Sequence, residues 1–186
     1  LKVLFPQNRL GTIAHYGGWY ATVAQHLFQH FEIKNYYNIE KDHTCLHISE
    51  SFNRVQRNNN WQFKSIGCDV NDIHWKYREE EQDVKPGNEY FIGGVHNAQE
   101  EYIEIKIMPD IIINTSCEHM DNTWFNTVDY DQLLIIQSNN SEEFEGHINT
   151  CANLDEFNNK YPLKTEYMCG EMTTPAYTRY MKIGFK

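Results

Sequence analysis

Residues 109–120 read Pro-Asp-Ile-Ile-Ile-Asn-Thr-Ser-Cys-Glu-His-Met. The three consecutive isoleucines, Ile111 to Ile113, present no polar face. Such a run fits a strand covered on both sides, as in a parallel sheet, and not the in–out alternation of a strand with one wet face. Polar residues begin at Asn114, so the strand ends there and opens into a loop. Leu133-Leu134-Ile135-Ile136 is a second run of the same kind.

Outward from this centre, the rest of the chain alternates between two periods. Residues 11–16 are a short apolar run closed by Gly17-Gly18, and Trp19, Val23, Leu27 and Phe31 then recur at fours, which predicts a helix. Tyr36 to Ile39 is aromatic and strand-like and ends in Glu40-Lys41-Asp42. Leu46, Ile48 and Phe52 predict a second helix, and Phe63 to Cys68 a third strand ending at Asp69. Residues 72–88 are charged and predict a solvated helix and a turn. A hairpin insertion is expected over 89–107, with Gly93-Gly94 in its loop. A short helix is expected within 120–128 and another over 153–160, before two closing strands at 164–169 and 176–185 joined by a turn with Pro175. Alternating strands and helices that give way to a strand pair predict an α/β, doubly wound, mostly parallel sheet with an antiparallel C-terminal edge.

Composition narrows the function. The chain has 186 residues, 16 basic and 26 acidic, for a net charge of −10. That length predicts one domain, residues 1–186, with a sizeable core. The acidic balance argues against general nucleic-acid binding, which needs a basic footprint. No apolar run is long enough to span a membrane, so no membrane partner is expected. No signal peptide is visible, and the first residue is Leu1. The five cysteines (Cys45, Cys68, Cys117, Cys151 and Cys169) are odd in number and form no C-x-x-C, which predicts free thiols and a cytoplasmic location.

The chemistry-bearing residues gather at the predicted strand ends, where open α/β sheets bind ligands. The first strand ends in His15-Tyr16-Gly17-Gly18-Trp19, whose glycines permit a tight turn. The second ends in Glu40-x-Asp42, 22 residues after Gly18, close to the spacing of about 20 in nucleotide-binding βαβ units. A carboxylate there can accept both hydroxyls of a ribose. The third ends in Asp69-Val70-Asn71-Asp72 and the fourth in Asn114 to Met120.

In this order these motifs resemble the class I S-adenosylmethionine-dependent methyltransferases, over roughly residues 11 to 186, and 109–120 is the nearest match. The resemblance implies a seven-stranded, Rossmann-like sheet and S-adenosylmethionine as cofactor. It places Gly17 and Gly18 at the methionine part of the cofactor, with Tyr16 also cofactor-binding, Glu40 on the ribose with Asp42 nearby, Asp69 and Val70 at the adenine, and Asn114 beside the sulfonium and the acceptor. Two departures stand out. The loop has two adjacent glycines where the family has three spaced ones, and the bulky Trp19 follows them. The helix that usually precedes the first strand is missing from the sequence.

His119 and His147 are the candidate catalytic bases, each following a buried strand; Glu118-His119 also reads as a pair of surface residues at a helix start, and His147 as a structural histidine. His26/His30 and His43/His47 have helical i, i+4 spacing, but no third ligand accompanies them, so no metal is expected. Cys117 reads as an inert thiol. The expected function is methyl transfer to a small-molecule acceptor. The alternatives are a non-methyl reaction of the same cofactor, such as aminocarboxypropyl transfer or cofactor cleavage, and a non-catalytic binding module.

Overall fold

A computed structural model describes residues 1–77, 88–97, 102–128 and 132–186. Two compact units divide the chain, Leu1–Ile111 and Ile112–Lys186.

The first unit contains β1 (Arg9–Tyr16), α1 (Thr22–His30), β2 (Glu32–Glu40), α2 (His43–Phe52), α3 (Arg54–Asn58), β3 (Phe63–Gly67), β4 (His74–Tyr77), β5 (Asn88–Asn97) and β6 (Tyr102–Ile107). β1 and β2 pair in parallel, with Tyr16 opposite Ile39. β2 and β3 also pair in parallel, with Glu40 opposite Gly67. The carboxyl ends of all three strands are therefore level. Tyr36 anchors the packing between them, stacking on Phe63 at 5.6 Å and meeting Phe28 of α1 at 6.1 Å.

Three local expectations change. The helix after β1 begins at Thr22, not Trp19, because Gly17, Trp19 and Ala21 all have positive φ, which a right-handed helix excludes. Part of the expected solvated helix is strand β4, where aromatic residues alternate with His74 and Lys76, a pattern that suits a pleated surface. Residues 78–87 of that expectation lie outside the described residues. Gly93-Gly94 sits inside β5 and not in a loop. The pairing jumps there from Ile92↔Ile105 to Val95↔Ile103, so one extra residue is accommodated as a bulge. β5 pairs antiparallel with β3, β4 and β6 and so extends the sheet beyond β3.

The second unit takes up β7 (Ile111–Asn114) and continues through α4 (Thr123–Thr127), β8 (Leu133–Asn139), α5 (Leu154–Lys160), β9 (Thr165–Thr173) and β10 (Thr178–Phe185). All four residues of β7 are buried, as the isoleucine run requires. β10 runs antiparallel to β8, from Arg179↔Asn139 to Phe185↔Leu133, and antiparallel to β9. This is the expected C-terminal edge. Asn153 caps α5 by accepting from the Glu156 N–H at 2.9 Å. Lys182 is buried, but its Nζ donates to the Tyr161 carbonyl at 3.0 Å and lies 3.6 Å from Glu166.

Phe157 fastens α5 to this sheet. It is fully buried and stacks on Tyr180 of β10 at 5.9 Å. Phe157→Ala leaves a cavity that flanking aromatics cannot fill, and a loss of about 3–5 kcal/mol is expected in urea unfolding.

Candidate functional site

In the first unit, β1 delivers the chain into a turn over residues 17–21. Gly17 (φ 59°), Trp19 (φ 49°) and Ala21 (φ 52°) are left-handed. For the two non-glycine residues this costs roughly 1–2 kcal/mol each, so other contacts must hold the turn. Gly17 N–H donates to the Ile39 carbonyl at 2.9 Å. Trp19 N–H donates to Glu40 Oε2 at 3.1 Å, and Asn38 Nδ2 donates to the Trp19 carbonyl at 3.0 Å. Glu40 Oε1 accepts from the Asp42 N–H at 2.9 Å. The Glu40 side chain, 5% exposed, thus joins the turn after β1 to the turn after β2.

Gly18 is fixed by close approach. A Cβ there would collide with Asn38 Oδ1 and His15 Nδ1. Asn38 Oδ1 itself is buried with no hydrogen-bond partner among the described residues. His15 is buried, with Nδ1 2.6 Å from the Tyr36 hydroxyl, and burial pushes its pKa down to about 4. Trp19 is 59% exposed, and its ring lies 6.1 Å from that of Tyr20.

The other first-unit candidates fall into place around this turn. Asp42 caps α2, accepting from Thr44 N–H at 2.9 Å and Thr44 Oγ1 at 2.7 Å, and these bonds hold its carboxyl below the usual range. Asp69 accepts from the Asn71 N–H at 2.9 Å at the start of a short 3₁₀ turn that buries Val70. The Tyr16 ring is in the core, leaving its main chain as the part that borders the turn. A separate groove of about 620 Å³, lined by Arg9, Glu32 and Lys34 among others, lies at the amino ends of β1 and β2. That is the wrong end of the strands for an α/β ligand site.

In the second unit, Asn114 ends β7. Its Oδ1 accepts from the Ser116 N–H at 3.0 Å and its Nδ2 faces Met120 Sδ at 3.1 Å. A 3₁₀ turn, Cys117–His119, follows. Glu118 is not a surface residue: it is 4% exposed. Its Oε1 accepts from Asn139 Nδ2 at 2.7 Å, while Oε2 is buried with no hydrogen-bond partner among the described residues. Burial raises its carboxyl pKa, opposed first by its own main-chain N–H and then by positive charge on His119, His147 and Arg179. The Glu118 carbonyl accepts from Ile148 N–H at 2.8 Å and Asn149 N–H at 3.0 Å, which draws residues 147–149 onto the turn.

The two candidate histidines consequently meet, with ring centroids 4.5 Å apart. His119 Nδ1 lies 3.2 Å from the Gly146 carbonyl and His147 Nδ1 2.5 Å from the Ser141 carbonyl. Gly146, at φ 82°, supplies the backbone turn that this arrangement requires. Glu118, His119 and His147 each offer a ligand atom within 4.8 Å of the others. The sequence marked both histidines but not Glu118 as their partner; its adjacency to His119 was the available signal. Cys117 is buried, and burial pushes its thiol well up, in keeping with an inert group.

No protein-family model matches this sequence, and comparison with curated protein sequences gives no match either. Solved structures do match in fold. They include the 1,6-didemethyltoxoflavin-N1-methyltransferase of Burkholderia thailandensis, solved with S-adenosylhomocysteine (TM-score 0.56, 10% identity, 100% of this chain and 74% of that one). The N-methyltransferase NodS of Bradyrhizobium japonicum matches at TM-score 0.55 and 10% identity, over 98% of this chain and 89% of that one. The magnesium protoporphyrin IX methyltransferase of Synechocystis, solved with S-adenosylmethionine, matches at 0.56 and 10%, over 99% and 74%. The fold is the Rossmann-like α/β fold of class I S-adenosylmethionine-dependent methyltransferases.

The buried His15 gives this region a pH signature. The unfolded imidazole titrates near 6.5 and the folded one near 4. Between those values the unfolded chain binds more protons, so this contribution is complete above pH 6.5 and is lost as pH falls toward 4. A loss of up to about 3 kcal/mol is expected across that window. Urea titrations at several pH values should show His15→Gln with a flatter slope than wild type; equal slopes would exclude His15 as the source.

Proposed function

We propose that this chain is an S-adenosylmethionine-dependent methyltransferase acting on a small-molecule acceptor. The observation that carries the reading is Glu40: a buried carboxylate at the end of β2, bonded to the N–H of Trp19 in the turn after β1. The residues fit the cofactor's chemistry. Each Glu40 oxygen accepts one main-chain N–H, and a carboxylate has about four lone-pair sites, so two remain for a ribose diol. Asn38 Oδ1, on β2, is a further acceptor near Gly18, buried with no hydrogen-bond partner among the described residues.

When bound, the sulfonium supplies an activated methyl group, and the protein's part is alignment. In this reading Glu40 holds the ribose with Asp42 nearby, and Asp69 and Val70 edge the adenine. The main chain of Tyr16, Gly17 and Gly18 borders the methionine part, and Asn114 serves the sulfonium end. His119 and His147 serve the acceptor. With Nδ1 of each ring facing a carbonyl, the neutral tautomer leaves Nε2 able to receive a proton. The net charge of −10 supports a neutral or cationic small acceptor over a nucleic acid. Among the described residues no helix is long and apolar enough to cross a membrane. Five free cysteines support a cytoplasmic location.

Titration calorimetry with S-adenosylhomocysteine tests the assignment. Glu40→Ala should weaken binding by about 1.5–3 kcal/mol, the scale of charge-assisted hydrogen bonds, with the circular dichroism spectrum retained. Equal binding by wild type and a folded variant would reject Glu40 as the ribose ligand. Release of S-adenosylhomocysteine during turnover supports methyl transfer, whereas methylthioadenosine would point to aminocarboxypropyl transfer or cofactor cleavage.

A further inference from the structure

We infer that Glu118, His119 and His147 form a three-ligand site for a divalent first-row transition metal ion. The inference stands on the second unit alone and does not depend on how the chain uses a cofactor. Three observations carry it.

First, the donor set is right. Two imidazoles and one carboxylate suit zinc and its neighbours and not magnesium or calcium, which prefer oxygen alone. One ligand atom from each residue already lies within 4.8 Å of the other two. A metal with bonds of about 2.0–2.2 Å keeps two ligands no more than about 4.2–4.4 Å apart. Closing the remaining gap of about half an ångström is a matter of side-chain adjustment.

Second, both rings are held from behind. His119 Nδ1 faces the Gly146 carbonyl and His147 Nδ1 faces the Ser141 carbonyl. A carbonyl accepts and does not donate, so in the neutral ring Nδ1 carries the proton and the Nε2 lone pair is free. This is the outer-shell arrangement that fixes tautomer and ring direction in metal-ligating histidines.

Third, the carboxylate has an unmet need. Glu118 Oε1 is fixed by Asn139 Nδ2 at 2.7 Å, but Oε2 is buried without a hydrogen-bond partner among the described residues. A buried acceptor left unpaired is costly, more so when charged, and a cation bound at Oε2 removes that cost. The main-chain bonds from Ile148 and Asn149 to the Glu118 carbonyl bring His147 to the pair, so the three ligands come from one turn and one clamped loop.

Three protein ligands leave a coordination position open.

The test uses the full chain, dialysed against a chelator and titrated with zinc chloride by calorimetry and with cobalt chloride by visible absorption. Wild type should take up one equivalent saturably and develop cobalt d–d bands. His119→Gln and His147→Gln, at half-buried positions, should each weaken uptake by about 100-fold or more with unchanged circular dichroism. Glu118→Gln, which keeps the Asn139 contact available, should do the same. His43→Asn/His47→Asn, which removes the helical pair, should leave uptake unchanged. Absence of saturable uptake by wild type, uptake unchanged in both histidine variants, or uptake lost in the His43/His47 variant would each overturn the site.

Discussion

Glu40 occupies the position on which the first unit's site depends. One oxygen takes the N–H of Trp19, in a turn where three of five residues are left-handed, and the other takes the N–H of Asp42, which begins the capping of α2. A left-handed tryptophan and alanine are unfavourable alone, and a buried carboxylate is costly alone. Together each offsets the other: the turn presents an N–H to the acid, and the acid holds the turn. Parallel registers of β1, β2 and β3 make this possible by bringing their carboxyl ends level.

The second unit repeats the device with a different outcome. Glu118 is again a buried acid just past a strand, held by a neighbour's amide, and its carbonyl clamps residues 148 and 149. Here one carboxylate oxygen is left over, beside two imidazoles whose Nδ1 atoms face carbonyls. In the first unit both of the acid's oxygens accept main-chain hydrogen bonds; in the second one oxygen is buried without a hydrogen-bond partner among the described residues.

The elements that the sequence revealed are those with one dominant period. Ile111–Ile113 and Leu133–Ile136 read as buried strands because no residue in either run suits water, and both are buried. Glu40 was legible through its spacing from Gly18. What stayed hidden depended on partners far along the chain. The start of α1 moved to Thr22 because Trp19 and Ala21 take left-handed backbone, which neither residue type announces. β4 looked like the start of a charged helix because its pairing partner β5 lies beyond the acidic run. Glu118 looked like a surface acid because its amide partner, Asn139, is 21 residues away. Gly18 is required by crowding, since a Cβ there would collide with His15 and Asn38, and that contact was not legible from the sequence.

The most direct test of the central claim is a crystal structure of the chain with S-adenosylhomocysteine. The account predicts the ribose hydroxyls within hydrogen-bond distance of both Glu40 oxygens, with the turn 17–21 lining the amino-acid end. A nucleoside bound elsewhere, such as the groove at Arg9 and Glu32, or a Glu40 carboxylate with no contact to it, would contradict the account.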